Sequence, residues 1–421
     1  MSQATRIFLS LILGLAIGIA ATAANPQAAV SAAGWVEPVG IAWLNALRMT
    51  IVPLVVALVV TGIAATAEAA RAGRVAGRAI ALFLVVLWTS SAIGAVVTLG
   101  LLDLWPLADS SAQALRNTFQ GAAPVGEVPS FGQFLGSIVP SNPISAAATD
   151  SFLPLIVFTC VFGFAITRLP DGQRRTLTGF FEALRDAMLV IIGWVLWIAP
   201  LGVAALGYAV AAHAGTAALG ALVHYVVVVS AVGVVVWVLA YPVAWIGGGV
   251  APPRFFRAII PAQAVAISTQ SSLASLPAML GGAERLGIPV ATSGLVLPLA
   301  VALFRATGPC MNLAVAIYVA HVFGITPGPA QLAAGIAAAA ITTMGAVSLP
   351  GQVSFVSSIA PIALAMGVPI EPLALLVAVE MLPDLVRTLG NVTMDVAATS
   401  VIARHSGPPP EKTAADSLLG G

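Results

Sequence analysis

Six apolar runs follow one another through the first part of the chain: Ile7–Ala24, Ile41–Ala65, Ala79–Leu102, Ile144–Thr167, Ala187–Ala211 and Leu219–Ile246. Each comes close to the ~20 residues that a helix needs to cross the hydrocarbon of a bilayer. Charge is too scarce for these runs to be the cores of soluble domains. Charged residues make up 8% of the 421 positions and hydrophobic ones 59%, whereas an ordinary soluble domain carries about a quarter charged residues. The chain reads as an all-α polytopic membrane protein. Its net charge of +1 lacks the basic footprint that nucleic-acid binding needs. Cys160 and Cys310 lie in apolar runs, match no metal or redox spacing, and read as inert core thiols.

Arginines mark alternate connections, near residues 6, 71–78, 168–175 and 254–257. The connections between them, at 25–40, 103–136 and 212–218, hold only Arg116. By the positive-inside rule the N-terminus is cytoplasmic. Arg404, His405 and Lys412 put the C-terminus on the same side, and the Pro- and Gly-containing tail after Ser406 reads as disordered. The first run also has the look of a secretory signal peptide, with small residues near Ala21–Ala24; the number of spans that follow favours a plain N-terminal helix. Leu104–Gly136 is polar and contains no convincing span. His213 and His224 flank a connection and are expected to face water rather than bind a metal.

Beyond Arg257 the pattern changes. Ile259–Leu280 is interrupted by Ser268-Thr-Gln-Ser-Ser272 and by Ser275-Leu-Pro277, and Ala333–Met366 is broken at Gly345 and at Ser348-Leu-Pro-Gly351. Proline inside a helix removes a hydrogen bond and clashes with the preceding turn. Both segments therefore read as helical hairpins that enter and leave from one side. Broken backbone of this kind is tolerated at membrane depth only where protein or a water-filled cavity covers it. Each hairpin precedes a span, at about 291–322 and 373–404, which makes an internal repeat. The arginine count brings the first hairpin in from the cytoplasm and the second from outside. An inverted repeat with paired broken segments points to a transporter's substrate site.

The last apolar stretch, Val379–Arg404, carries Glu380, Asp384, Arg387, Thr388, Asn391 and Asp395. At roughly 100° per residue these six fall within a wedge of about 100°, with Leu382, Val386, Leu389 and Val396 opposite. Arg387 offers the planar fork that grips a carboxylate bidentately. Asp384 could accept from an ammonium group, and Thr388 and Asn391 add neutral polar contacts. Hairpin tips supply helix ends suited to charged groups. A small zwitterion with a second carboxylate would satisfy all of these. The plainer alternative is an intrahelical Asp384–Arg387 pair. An ionised group at mid-bilayer costs about 2.5–3.5 kcal/mol on insertion scales, and a structural pair is a poor reason to repeat that cost along one face.

These segments resemble the dicarboxylate/amino acid:cation symporter family, the glutamate and aspartate transporters. The resemblance rests on Leu44-Asn-Ala-Leu-Arg-Met-Thr-Ile-Val-Pro-Leu54, Ile138-Val-Pro-Ser-Asn-Pro143 and Gly193-Trp-Val-Leu-Trp-Ile-Ala-Pro-Leu-Gly-Val203. It rests more specifically on Gln270-Ser-Ser-Leu-Ala-Ser-Leu-Pro277, Leu349-Pro-Gly351 and Asp384-Leu-Val-Arg-Thr-Leu-Gly-Asn-Val-Thr-Met-Asp395. It implies eight transmembrane helices plus two re-entrant hairpins in inverted repeats, in an elevator-type transporter that forms a homotrimer in the cytoplasmic (inner) membrane. Residues 1–78 would hold scaffold spans 1 and 2, 79–102 span 3 of a moving transport unit, and 103–143 an extracellular loop. Scaffold spans 4 and 5 would occupy 144–218 and transport-unit span 6 would occupy 219–257. Residues 258–405 would form the transport core (hairpin 1, span 7, hairpin 2, span 8), and 406–421 a disordered cytoplasmic tail.

By the same resemblance, Arg387 would bind the substrate's side-chain carboxylate and Asp384 its amino group. Asn391, Thr388 and the backbone around Ser271 and Ser272 would hold the remaining groups. The tip of the second hairpin, with Ser348, Pro350 and Gly351, would be the extracellular gate. Family members that carry plain dicarboxylates lack the equivalent of Asp384, and those for neutral amino acids lack that of Arg387. Both residues are present here, so the resemblance implies an acidic amino acid as substrate.

One departure stands out. Where the family carries Asn-Met-Asp-Gly-Thr, whose carbonyls and aspartate bind sodium, this chain has Phe304-Arg-Ala-Thr-Gly308. Ala306 replaces the aspartate, Phe304 the asparagine and Arg305 the methionine. The third span keeps Thr89 and Ser90 but lacks the tyrosines before them, and of the sodium ligands only Asp395 clearly survives. Asp384, Arg387 and Asp395 sum to −1 (two acids, one base), and Arg305 brings the sum to zero. Arg305 is thus expected to replace a sodium ion, leaving transport proton-coupled or exchange-like, with Glu380 as candidate proton carrier and Thr307 beside Arg305 in the coupling group. Sodium or a proton is the coupling ion, and no organic cofactor is expected. Alternatives are a different sodium site with Arg305 snorkelling or touching substrate, a channel-like or exchange-only carrier of the same fold, and a non-transporting membrane sensor or scaffold. The last is disfavoured by the lack of a sizeable extramembrane segment. Nothing supports an enzyme: the sequence has no Gly-rich phosphate loop, Ser–His–Asp arrangement or metal cluster.

Overall fold

The computed structural model describes residues 3–71, 73–118, 139–149, 151–214, 217–345 and 351–406, and these contain helices and no strand. Ser348, Pro350, residues 119–138 and the tail from residue 407 lie outside the described residues. The apolar runs become helices whose ends follow local chemistry. Helix α1 covers Gln3–Ala24. Asn25 then caps α2 (Pro26–Arg48), accepting from the Ala28 N–H at 3.1 Å, with Pro26 in the first turn where no N–H is needed. Residues 25–40, expected as a loop, are therefore largely helix. Their small side chains are the reason. Ala29 and Ala33 pack against Ala209 and Ala212 of the helix Ala199–Ala214. A Cβ at Gly14 would lie 2.3 Å from the Ala204 carbonyl oxygen, so α1 also meets that helix backbone to backbone.

Helices α3 (Ile51–Arg71) and α4 (Arg74–Leu104) follow, then α5 (Asp109–Thr118), which makes part of the expected 103–143 loop helical. The run at 144–167 is divided into α6 (Pro143–Ala148), capped by Asn142, and α7 (Phe152–Ile166). The run at 187–211 is not straight either. It falls on α8 (Asp171–Trp197) and α9 (Ala199–Ala214), which meet at 57° just before Pro200. Helix α10 (Ala217–Pro242) continues into a π-helical turn, Val243–Gly247. By length and composition five helical stretches can cross a membrane, and the bent pair makes a sixth.

The second half of the chain is built from broken helices: α11 (Pro252–Thr269), α12 (Ser272–Arg285), α13 (Val290–Leu303), α14 (Thr307–Val322), α15 (Pro329–Gly345), α16 (Gly351–Ala365), the short α17 (Leu373–Leu376) and α18 (Met381–Ser406). Helix α14 is buried round almost its whole circumference and forms the centre of the fold with α4, α10 and α18.

Long hydrogen bonds define two ends of the molecule. At one, Arg404 Nη1 donates to the Ile246 carbonyl at 3.0 Å and Arg78 Nη1 to that of His405 at 2.6 Å. Arg254, at the start of α11, donates to the Leu286 carbonyl just past α12 at 3.2 Å, so these two helices double back. At the other end Arg116 donates to the Val322 carbonyl. There Gln331, at the start of α15, donates to the Met366 carbonyl just past α16 at 3.0 Å. Two helix pairs thus open towards opposite ends. His213 is exposed, but His224, expected to face water, is buried: Nε2–H donates to the Trp105 carbonyl at 2.8 Å and Nδ1 lies 3.2 Å from the Tyr318 hydroxyl. Its position beside a polar connection concealed that the helix turns it inward against α4 and α14.

Candidate functional site

The polar wedge of the last stretch is buried. Glu380 and Asp395 are 0% exposed, and Asp384, Arg387, Thr388 and Asn391 no more than 5%. Leu389 and Val396, on the opposite side, are buried too, while Leu382 is exposed, so from Arg387 to Ser400 α18 is enclosed on every side. Burying a charge is costly unless it is paired, and for Arg387 the pairing is specific. Arg387 Nη1 donates to Glu380 Oε1 and, at 3.2 Å, to Asp384 Oδ1. Glu380 lies outside α18, in the turn before it, and its Oε2 accepts from the Tyr225 hydroxyl of α10 at 3.2 Å. The intrahelical Asp384–Arg387 pair therefore exists, but it uses only one nitrogen of the guanidinium. Arg387 Nε and Nη2, which form the side-on fork, have no hydrogen-bond partner among the described residues.

Arg387 lines a narrow cleft, with room for about one water molecule, together with Arg305, Gly308, Asn312, Thr343, Phe355 and Ser358. The cleft lies where the α13–α14 break meets the second helix pair. Phe304, in the place of the family's asparagine, is buried and stacks on Phe83 of α4 with ring centroids 4.4 Å apart. Arg305 is half-buried and within electrostatic range of Arg387, Asp384 and Asp395. Ser90 donates to the Ala306 carbonyl, whereas Thr89 is exposed and bonds its own helix at Val85. Both carboxylate oxygens of Asp395 are buried and make no hydrogen bond among the described residues.

Thr307 fastens the break to α18. Its N–H donates to Asn391 Oδ1 at 2.9 Å, and its hydroxyl lies 2.7 Å from the same oxygen and 2.8 Å from the Arg387 carbonyl. A Cβ on Gly390 would come 2.4 Å from Thr307 Cγ2, so only glycine permits the approach. The Thr388 hydroxyl donates back to the Asp384 carbonyl at 2.9 Å. At the turn of the first pair Gln270 adopts the left-handed conformation (φ 51°), and its side chain donates to the Met381 carbonyl at 3.2 Å. Ser271 caps α12 by accepting from the Ala274 N–H at 3.2 Å, and Ser272 opens that helix. The structure thus places the first turn against the start of α18. Gly351 opens α16.

Sequence reading missed Tyr225, Asn312, Thr343 and Ser358. Asn312 lies one helical turn beyond Gly308 and could have been found by extending the broken motif along α14. Thr343, two residues before Gly345, and Ser358 sit in apolar runs without a distinguishing pattern. Counting the whole cluster at formal charges, Glu380, Asp384 and Asp395 against Arg387 and half-buried Arg305 leaves −1 (three acids, two bases). Glu380 thus restores the charge that Arg305 was expected to cancel.

Residues 4–405 match the model of the sodium:dicarboxylate symporter family. The chain is 28% identical over 427 aligned positions to a proton/glutamate-aspartate symporter of Escherichia coli (strain K12), covering 96% of this chain and 92% of that one. It is 27% identical over 415 positions to a proton/sodium-glutamate symport protein of Bacillus caldotenax (96% and 94% covered). It is also 27% identical over 413 positions to a C4-dicarboxylate transport protein of Anaeromyxobacter sp. (strain K) (96% and 90% covered).

Proposed function

The chain belongs to the sodium:dicarboxylate symporter family, a family of membrane transporters and not of enzymes, and on that premise we propose that it carries a small acidic amino acid or related dicarboxylate by secondary transport that does not require sodium. The observation that carries this reading is the unpaired Nε/Nη2 edge of Arg387, buried beside a cleft. That edge matches the two oxygens of a carboxylate. Glu380 and Asp384 hold the opposite corner of the guanidinium and so aim the free edge. Asp384 supplies the negative charge that an amino group seeks, which favours glutamate or aspartate over a plain dicarboxylate. Asn312, Thr343 and Ser358 offer neutral contacts for the second carboxylate.

The coupling ion follows from charge. Arg305 occupies the segment where a sodium-binding aspartate would stand, and a guanidinium there repels a second cation. The buried cluster nevertheless sums to −1, and one proton neutralises it. Glu380 carries that proton in this proposal. In the same reading the chain has eight spans and two re-entrant hairpins, α11–α12 and α15–α16. The hydrogen bonds Arg254–Leu286 and Gln331–Met366 support the hairpins, since each joins the two ends of one pair. The hairpins, α4, α10, α13–α14 and α18 move as the transport unit of an elevator within a homotrimer, in the cytoplasmic membrane with both termini inside.

Uptake of labelled aspartate, glutamate and succinate into proteoliposomes, under a sodium gradient, a proton gradient or neither, tests the proposal. We expect aspartate or glutamate uptake that a proton gradient drives and sodium leaves unchanged. Uptake strictly dependent on sodium overturns the coupling, and failure of all three substrates to be taken up or exchanged overturns the substrate class.

A further inference from the structure

Glu380 is fully buried, and among the described residues its carboxylate touches two hydrogen-bonding side chains. Arg387 holds Oε1 and does not give up protons. Tyr225 holds Oε2, and beyond it the polar groups continue. The Tyr225 ring meets that of Tyr318 edge to face, with centroids 5.3 Å apart, and Tyr318 reaches His224 Nδ1 at 3.2 Å. His224 leans on Trp105 at the end of α4. Half-buried His321 follows, within electrostatic range of His224, exposed Asp103 and Arg116. The chain has only four histidines and four tyrosines, and two of each lie in this one strip through apolar helices.

The hydrogen bonds around His224 show how a proton fits there. Trp105 offers a carbonyl, so Nε2 must carry a hydrogen. The Tyr318 hydroxyl has one hydrogen and two neighbours, the Ala221 carbonyl at 2.9 Å and His224 Nδ1. With a neutral imidazole the hydroxyl donates to Nδ1. With an imidazolium Nδ1–H donates to the hydroxyl oxygen, which then donates to Ala221. The site is satisfied in both protonation states by a turn of one O–H bond.

We propose that His224, Tyr318 and Tyr225 form a relay that delivers protons to Glu380 from the end of the molecule carrying Trp105, Asp103 and His321. This rests on the proton-linked reading above. In the transfer His224 Nδ1 gives its proton to the Tyr318 oxygen, Tyr318 gives its own to the Tyr225 oxygen, and Tyr225 gives its own to Glu380 Oε2. Each hydroxyl gains and loses one proton, so the sum is one proton from imidazolium to carboxylate. The two tyrosine hydroxyls are not hydrogen-bonded to each other in this structure, so for the middle step the rings must close up and the Tyr318 hydroxyl must swing from Ala221 towards Tyr225. The charged and titratable groups facing the strip are Asp103 on α4, Arg116 on α5, His321 on α14, and Asp384 and Arg387 on α18.

Tyr318→Phe keeps both ring contacts and removes the hydroxyl, and His224→Gln removes the titrating ring. Both are reconstituted beside the wild type, with folding checked by stabilisation against heat on adding aspartate. Exchange of labelled for unlabelled aspartate at equal pH needs no reloading of Glu380, whereas net uptake driven by a proton gradient does. We expect exchange within about twofold of wild type in both variants, and net proton-driven uptake reduced about tenfold or more, the scale of losing a positioned proton donor. Net uptake at the wild-type level in Tyr318→Phe overturns the relay. So does an equal fall of exchange and net uptake in both variants, which marks a structural role. If the wild type itself exchanges aspartate but ignores a proton gradient, the proton-linked reading fails in that control, apart from any variant.

Discussion

Asn391 Oδ1 accepts both the N–H and the hydroxyl of Thr307, at 2.9 and 2.7 Å. One amide side chain of α18 thereby holds the start of α14 and, with it, the broken segment that presents Arg305 to the cleft. Asn391 was expected to touch substrate. In this structure that oxygen is spent on fastening the backbone.

Replacing Asn391 by Ala leaves a buried backbone N–H unsatisfied, a loss on the order of 1–3 kcal/mol. We expect a lower melting temperature in detergent, together with weaker aspartate binding in the same preparation because Arg305 is no longer held. Unchanged melting with unchanged affinity counts against the role.

Arg387→Lys keeps the charge and removes the side-on fork. Binding measured calorimetrically is expected to fall by about a hundredfold or more, since truncating a desolvated charged contact costs roughly 2–5 kcal/mol. An affinity within a few-fold of wild type is incompatible with bidentate capture at this edge.

Arg305→Met removes the fixed cation and makes the buried cluster −2 (three acids, one base). The extra negative charge invites a metal cation, so aspartate uptake is expected to gain a dependence on sodium that the wild type lacks. A variant equally active with and without sodium shows that Arg305 does not take the cation's place.

Gly390→Ala forces a methyl group to 2.4 Å from Thr307 Cγ2, with Trp237 Cβ at 3.3 Å on another side. Overpacking typically costs about 1–3 kcal/mol. The variant is expected to melt earlier than wild type and to lose uptake, whereas alanine at Gly34, which has open space around it, is expected to leave both unchanged.

Much of this protein was legible without coordinates. Helical periodicity placed Asp384, Arg387, Thr388, Asn391 and Asp395 on one face of α18, because one rotation per residue relates them, whereas Glu380 falls in the turn before that helix. Apolar length gave the helices, since a bilayer sets how long they must be. The interruption at Ser268–Ser272 marked a true break, because Ser271 turns its side chain back onto the backbone to cap α12. Those are local properties, carried by neighbouring residues alone.

What escaped that reading depends on surfaces meeting. Residues 25–40 looked like a connection because their alanines and Gly40 are too small to advertise burial; they become helix because α9 offers a matching face. His224 looked exposed until α4 and α14 closed over it. Which nitrogen of Arg387 is paired, and which edge is left for a carboxylate, depends on a glutamate outside the helix and a tyrosine more than a hundred residues earlier in the chain. No pattern within one segment encodes an angle between two. Packing alone sets where those partners lie, because a close-packed interior leaves each side chain one place to go.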